Sequence, residues 1–324
     1  MVQNKNSNKP KIFEWAYCLN KEQRQKKYEE LCKTYNIKEN EWTIDEKFDL
    51  LENYIFKQYE LCQECYIYYF KRSGENFRSA IQKNEVGNIS PAPDAEFALF
   101  NLNIPTPRNG ILFCVFERCK EKRLSWTFKE FISSSDSSEW HQILLDMGDL
   151  KPTFHNIVDN YLVGNFDDVD FREISYEAAP FPMDHIYKRY ERYLPACIKK
   201  VYNCTKSINV DIEDSINKIV EELISNNVKH IDVNEYVLSW AITDFINDEN
   251  GSEFGYIPIN ILFPFRFLGE VYAAMVFRIT RQKKPCLVTM LNLKQAYSGA
   301  KLYNSIFKSP WLSIENVHQA ENRK

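Results

Sequence analysis

Glycine is scarce in this chain, with nine residues in 324. A glycine-rich phosphate loop has little to be made from. None of GxxxxGK[ST], GxGxxG or GxSxG occurs. P-loop phosphoryl transfer, Rossmann dinucleotide binding and the α/β-hydrolase elbow therefore lose their ordinary signatures. No apolar run reaches the roughly 18 residues a helical membrane span needs. The first residues, MVQNKNSNKPK, have no apolar core of the secretory kind. Positive charge is not in excess either: 41 Lys and Arg stand against 45 Asp and Glu, a formal net charge of −4. Bulk charge gives no argument for nucleic acid. The five histidines, His141, His155, His185, His230 and His318, form neither HExxH nor HxH, so a histidine metal site is unsupported. No internal repeat is found.

Cysteine is present but unorganised. The nine thiols are an odd number at scattered spacings, which points to reduced thiols and a cytoplasmic setting. Cys62 and Cys65 make a CxxC, but a structural zinc needs a second pair at matching spacing. They read as two buried thiols of a helix.

Apolar residues are plentiful. Hydrophobic content is 44% and aromatic content 15%, with 19 Tyr and 22 Phe. That is ample for a large core and opposite to a disordered composition. The densest stretch is C-terminal, Tyr256 to Ile314. Short apolar runs bounded by Gly, Pro and charges predict strands near 96–101, 111–117, 124–130, 257–267, 271–279 and 286–293. Helical periodicity over Asp45 to Phe70 predicts one long helix stopped by Ser73-Gly74. A charged helix is expected from Lys21 to Cys32, a helix from Asp211 to Ile224 ended by Asn226-Asn227, and a short one around Ala296 to Tyr303. Val233 to Ile246 is a helix or another apolar segment. Ser133 to Ser138 reads as a flexible link. The expected class is α+β: a mostly antiparallel sheet packed by an N-terminal helical layer, in a single compact unit over 11–314. Residues 1–10 would be a disordered tail and 315–324 a polar one.

Three segments interleave cations with aromatics: Arg118 to Lys129, His185 to Tyr202 and Arg278 to Lys284. Single-stranded nucleic acid favours this mix, since cations track phosphates while aromatic faces stack bases. Solvated turns beside core aromatics would look the same. Asp167, Asp168 and Asp170 could bind a cation, or form a solvated loop.

Several motifs in order resemble a bacterial family known as domain of unknown function 3825. The C-terminal ones are Ile261-Leu-Phe-Pro-Phe265, Tyr272 to Phe277, Leu287 to Leu302 and Trp311-Leu312. Upstream stand Leu50-Leu-Glu-Asn-Tyr-Ile55, Phe100-Asn101, and His185-Ile186 with Arg192 and Pro195. The resemblance spans roughly 12–313. It departs at Leu102-Asn103, where the family has Thr-Gly, at Lys294, where it has Asp, and at Lys301, where it has Arg. Lys keeps the charge of Arg but loses its planar fork. Members of the family occur beside RNA-binding modules of the LOTUS (OST-HTH) and cold-shock types. The resemblance therefore implies RNA handling, in defence or RNA repair. On this reading the protein binds RNA or a nucleotide. Asn101 and Asn292 would read a base or ribose, Arg192 and Lys301 would hold phosphate, Tyr297 would stack, and His185 is the candidate general acid or base. No cofactor and no metal is expected. Two alternatives stand beside it: a non-catalytic interaction protein, self-associating through its aromatics, and a metal-dependent nuclease using Asp167, Asp168 and Asp170.

Overall fold

A computed structural model describes residues 10–62, 67–74, 76–83, 89–119, 125–136, 140, 144, 218, 222–240, 259–279, 285–305 and 307–322. The fold is α+β, with N-terminal helices and antiparallel sheets. The chain's contacts group into two compact units, Met1–Asn160 and Tyr161–Lys324. The six expected strands are all present, divided three and three between the two units' sheets.

The first unit opens with α1 (Ile12–Trp15), β1 (Ala16–Tyr17), α2 (Lys21–Tyr35) and α3 (Asp49–Cys62). Asn20 and Gln23 cap the start of α2 reciprocally, at 2.9 and 3.2 Å, satisfying donors that a helix end leaves open. Arg24 of α2 grips Glu52 of α3 through Nε and Nη2, at 2.7 and 3.1 Å, and fixes the two helices side by side. A six-stranded sheet follows, ordered β1-β8-β7-β6-β2-β3. Its strands are β2 (Tyr68–Ser73), β3 (Asn76–Ser79), β6 (Phe97–Pro105), β7 (Ile111–Arg118) and β8 (Trp126–Ser133), with β1 parallel to β8. A separate pair is made by β4 (Ile81–Lys83) and β5 (Ile89–Pro91). β6 is buried at six consecutive positions, so both its faces are covered. On one face Phe70, Phe97, Leu99, Phe113, Val115 and Ile132 pack with Trp140 and Leu144. On the other, Phe100, Phe116 and Trp126 meet Trp15 and Tyr59 of the helices, at centroid distances of 4.9 to 5.8 Å.

Two stretches of the first unit differ from the structure their composition predicts. The helix expected through Phe70 ends at Cys62, and Tyr68–Ser73 is a strand. Aromatic residues suit a pleated, half-buried surface, and Tyr68 and Phe70 pair with Leu99 and Phe97 of β6. Ser73-Gly74, read as a helix stop, turns the β2–β3 hairpin instead. The serine run is not a free link at its described positions. Ser133 closes β8, its N–H donates to Asp136 at 2.9 Å, and the Tyr35 hydroxyl donates to the same carboxylate at 2.5 Å. Thr106 Oγ1 lies 3.2 Å from Ser133 Oγ and accepts from Gly110 N–H. A Cβ on Gly110 would collide with Ser133 and Ser135, so only glycine lets the strand approach this closely.

The second unit holds a four-stranded antiparallel sheet ordered β12-β11-β10-β9. Its strands are β9 (Val237–Trp240), β10 (Ile259–Phe267), β11 (Glu270–Ile279) and β12 (Pro285–Asn292), followed by α4 (Leu293–Tyr303) and α5 (Ile314–Asn322). Val237–Trp240 is thus a strand inside the segment left open between helix and apolar run, and Tyr272 to Phe277 lie in the strand expected over 271–279. Residues 315–324, expected as a tail, carry most of α5, whose Ile314 and Val317 are buried. The helix before β9 runs through residue 229, past Asn226-Asn227. Asn227 lies within it, and its side-chain amide donates to Leu223 O at 2.9 Å. The β10–β11 turn is Leu268-Gly269, with φ of 51° and 81°. Positive φ at both central residues is the type I′ pattern that suits the strand twist.

Candidate functional site

The candidate site residues do not all belong to one unit. Asn101 lies in the first unit and Asn292, Tyr297 and Lys301 in the second. His185 and Arg192, with the rest of the basic segment 185–202, lie outside the described residues, as do Asp167, Asp168, Asp170 and Cys65. Asn101 is buried on β6, and its Oδ1 accepts from Asn103 N–H at 2.6 Å. That bond braces the irregular end of β6, where Asn103 has φ of 53°. Its backbone oxygen faces Cys62 Sγ at 4.0 Å. Asn292 caps α4, its Oδ1 accepting from Gln295 N–H at 2.7 Å.

Tyr297 and Lys301 are one helical turn apart and share the buried face of α4. Lys301 is 2% exposed, with its Nζ 6.0 Å from the centre of the Phe307 ring. Tyr297 meets the same ring edge-on at 5.4 Å. Phe307 therefore packs against both.

The cations of the basic and aromatic segments differ in what they meet. Arg118 Nη1 donates to three carbonyls, of Ala92, Pro93 and Ala95, at 2.6 to 3.2 Å. Lys129 Nζ sits over Phe97 at 4.8 Å and Trp140 at 5.7 Å. Both serve the fold of the first unit. Arg278 is different. It projects from β11, is partly buried, and its Nε donates to Asn260 Oδ1 at 3.0 Å. Asn260 is itself buried and pairs in register with buried Ser239 of β9. Among the described residues Arg278 meets no carboxylate, and burial alone lowers its pKa from the ordinary arginine value. A guanidinium withdrawn from water without a counter-ion is costly, and a bound oxyanion would offset that cost.

A polar cleft of about 190 Å³ opens elsewhere in this unit, with Asn226, His230, Asp232, Glu235, Phe263 and Arg266 among its lining residues. Asn227 ties its helical wall to β10: its Oδ1 accepts from Arg266 N–H at 2.7 Å and its amide donates to Arg266 O at 3.0 Å. Arg266 in turn forks onto Glu235 at 2.8 and 2.6 Å. Sequence reasoning missed these residues. Their one signal was the largely polar stretch Asn226 to Glu235, where Asn226-Asn227 read as a helix end and Val233 as the start of the next segment. Among the described residues no group of three His, Cys, Asp or Glu could hold a metal. No described helix is long and apolar enough to cross a membrane.

Comparison with known proteins found no matching family model, no matching curated protein and no matching solved structure.

Proposed function

We propose that this protein binds RNA or a nucleotide, and that the second-unit sheet receives a phosphate at Arg278. One observation carries the reading: a partly buried guanidinium, oriented by Asn260 through Nε, that meets no carboxylate among the described residues. With Nε engaged, the terminal amino groups of the fork suit the paired oxygens of a phosphate. The resemblance to domain of unknown function 3825, with its RNA-binding neighbours, supports the same ligand class. Asn292, Tyr297 and Lys301 keep their proposed roles, Asn292 reading a base or ribose, Tyr297 stacking and Lys301 holding phosphate. His185 and Arg192 keep their proposed roles as general acid or base and as phosphate ligand. An RNA-processing role in defence or repair is the setting this reading implies.

The test is equilibrium binding of a fluorescent single-stranded octanucleotide RNA and of adenosine triphosphate at two salt concentrations. Wild type should bind one of them. Arg278→Gln should weaken that binding about tenfold, as expected for a charged hydrogen-bonded contact, and should lower the salt slope by about one. Circular dichroism would confirm that the variant is folded. Absence of binding by wild type, or equal binding by the variant, defeats the proposal. In that case a mass measured in multiples of the chain would favour the non-catalytic interaction protein.

A further inference from the structure

The second unit's cleft has a chemistry opposite to that around Arg278. Its walls are braced by Asn227 and by the Glu235–Arg266 fork. Trp311 adds a third brace, donating through Nε1 to Glu235 O at 2.7 Å. The fork neutralises its own two charges, so neither Glu235 nor Arg266 dominates the cleft.

What remains is accepting and negative. His230 Nδ1 lies 2.7 Å from Asn226 O. A carbonyl oxygen only accepts, so in the neutral ring Nδ1 carries the proton and Nε2 presents its lone pair. Asp232 spends Oδ1 on Asn234, accepting from its backbone N–H and its side-chain amide, each at 2.9 Å. Oδ2 makes no hydrogen bond to the described residues. Phe263, Pro264 and Ile231 supply an apolar surface beside these acceptors. The complement of such a cleft is a positively charged nitrogen with several N–H donors, carried on an aliphatic chain. A phosphate would meet the Asp232 carboxylate and be repelled.

We propose that this cleft binds an aliphatic organic cation, a primary amine or guanidine, through Asp232 Oδ2 and His230 Nε2. The inference is independent of the nucleotide reading, because no residue is shared with the Arg278 site.

Calorimetric titration of the full chain tests it with three probes: agmatine, putrescine and blocked arginine (N-acetyl-arginine methylamide). Binding of agmatine or putrescine identifies a free small cation as the ligand. Binding of blocked arginine alone identifies an arginine side chain of a peptide. Either outcome supports the proposal once Asp232→Asn weakens it about tenfold. The Asn oxygen can still accept from Asn234, so that variant keeps the local turn. His230→Phe, which removes the second acceptor and not the fold, should weaken binding severalfold. Inorganic phosphate should not compete. No heat with any of the three cations at millimolar concentration overturns the proposal, and so does unchanged binding in both variants.

Discussion

The two units solve the packing problem with different materials. The first fills its interior with rings: Trp15, Tyr59, Phe100, Phe116 and Trp126 touch one another between helices and sheet. Its buried polar groups repair the backbone, as Asn101 does for β6 and Thr106 for the Gly110 turn. The second unit sets small and flexible side chains, Ala273, Ala274, Met275 and Val276, beside the buried rings of Phe263, Phe265 and Phe277 in its sheet. It also encloses or half-encloses cations, Lys301 and Arg278. A region whose polar atoms are spent on its own backbone has little left for a ligand. A region that holds Arg278 half-buried, with no carboxylate beside it among the described residues, has something to offer. That contrast is the reason the functional proposals fall in the second unit.

The largest expected effect tests the aromatic half of the comparison. Trp126→Ala should destabilise the first unit by about 3–5 kcal/mol, read from denaturant unfolding followed by hydrogen exchange of first-unit amides. A loss below about 1 kcal/mol would mean that the ring layer is not where the stability resides.

Alkaline titration comes next. Burial pushes the Cys62 thiol from its ordinary value of 9.0 up to about 12, and the Tyr69 hydroxyl from 10.0 to about 12. The folded first unit therefore holds protons that the unfolded chain releases. Its stability from these groups is complete below about pH 9 and is lost as pH climbs toward 12. Each tenfold difference in proton affinity between the folded and unfolded chain is worth about 1.4 kcal/mol. Cys62→Ala should flatten that loss measurably. A pH profile unchanged by the variant would show that the thiol ionises without cost.

The smallest effect lies in the second unit's hairpin. Leu268 is 87% exposed and holds φ of 51°, a conformation that costs a side chain such as leucine roughly 1 kcal/mol. Leu268→Asn should raise stability by about that amount, because Asn-Gly is the preferred type I′ pair. A lower thermal midpoint would show that Leu268 makes a contact worth more than the relieved strain.

Much of the secondary structure was readable in advance. Ile111 to Glu117 and Ile257 to Phe267 are apolar runs closed by turn residues, and such runs are buried strands wherever they pair. The misread places were those where one composition serves two structures. Tyr68 to Phe70 fits a helical face and a strand equally, and only β6 beside it decides. The serine run looks like a linker until Thr106, Gly110 and Tyr35 bring it partners. Of the candidate site, the sequence indicated residue types and the third basic segment, but not which cation would stay uncommitted. Nothing in the run from Asn226 to Glu235 announced a cleft, since Arg266 joins it from a strand thirty-odd residues later.

The sequence by itself determined the α+β class, the positions of six strands and the helix that follows Asn292, because alternation, breakers and caps act over a few residues. Tertiary structure decided how those strands divide between two sheets and which polar atoms are used up. Both depend on what lies opposite in space. Arg118 and Arg278 are the same residue in similar company, and only their neighbours make one a brace and the other a candidate site.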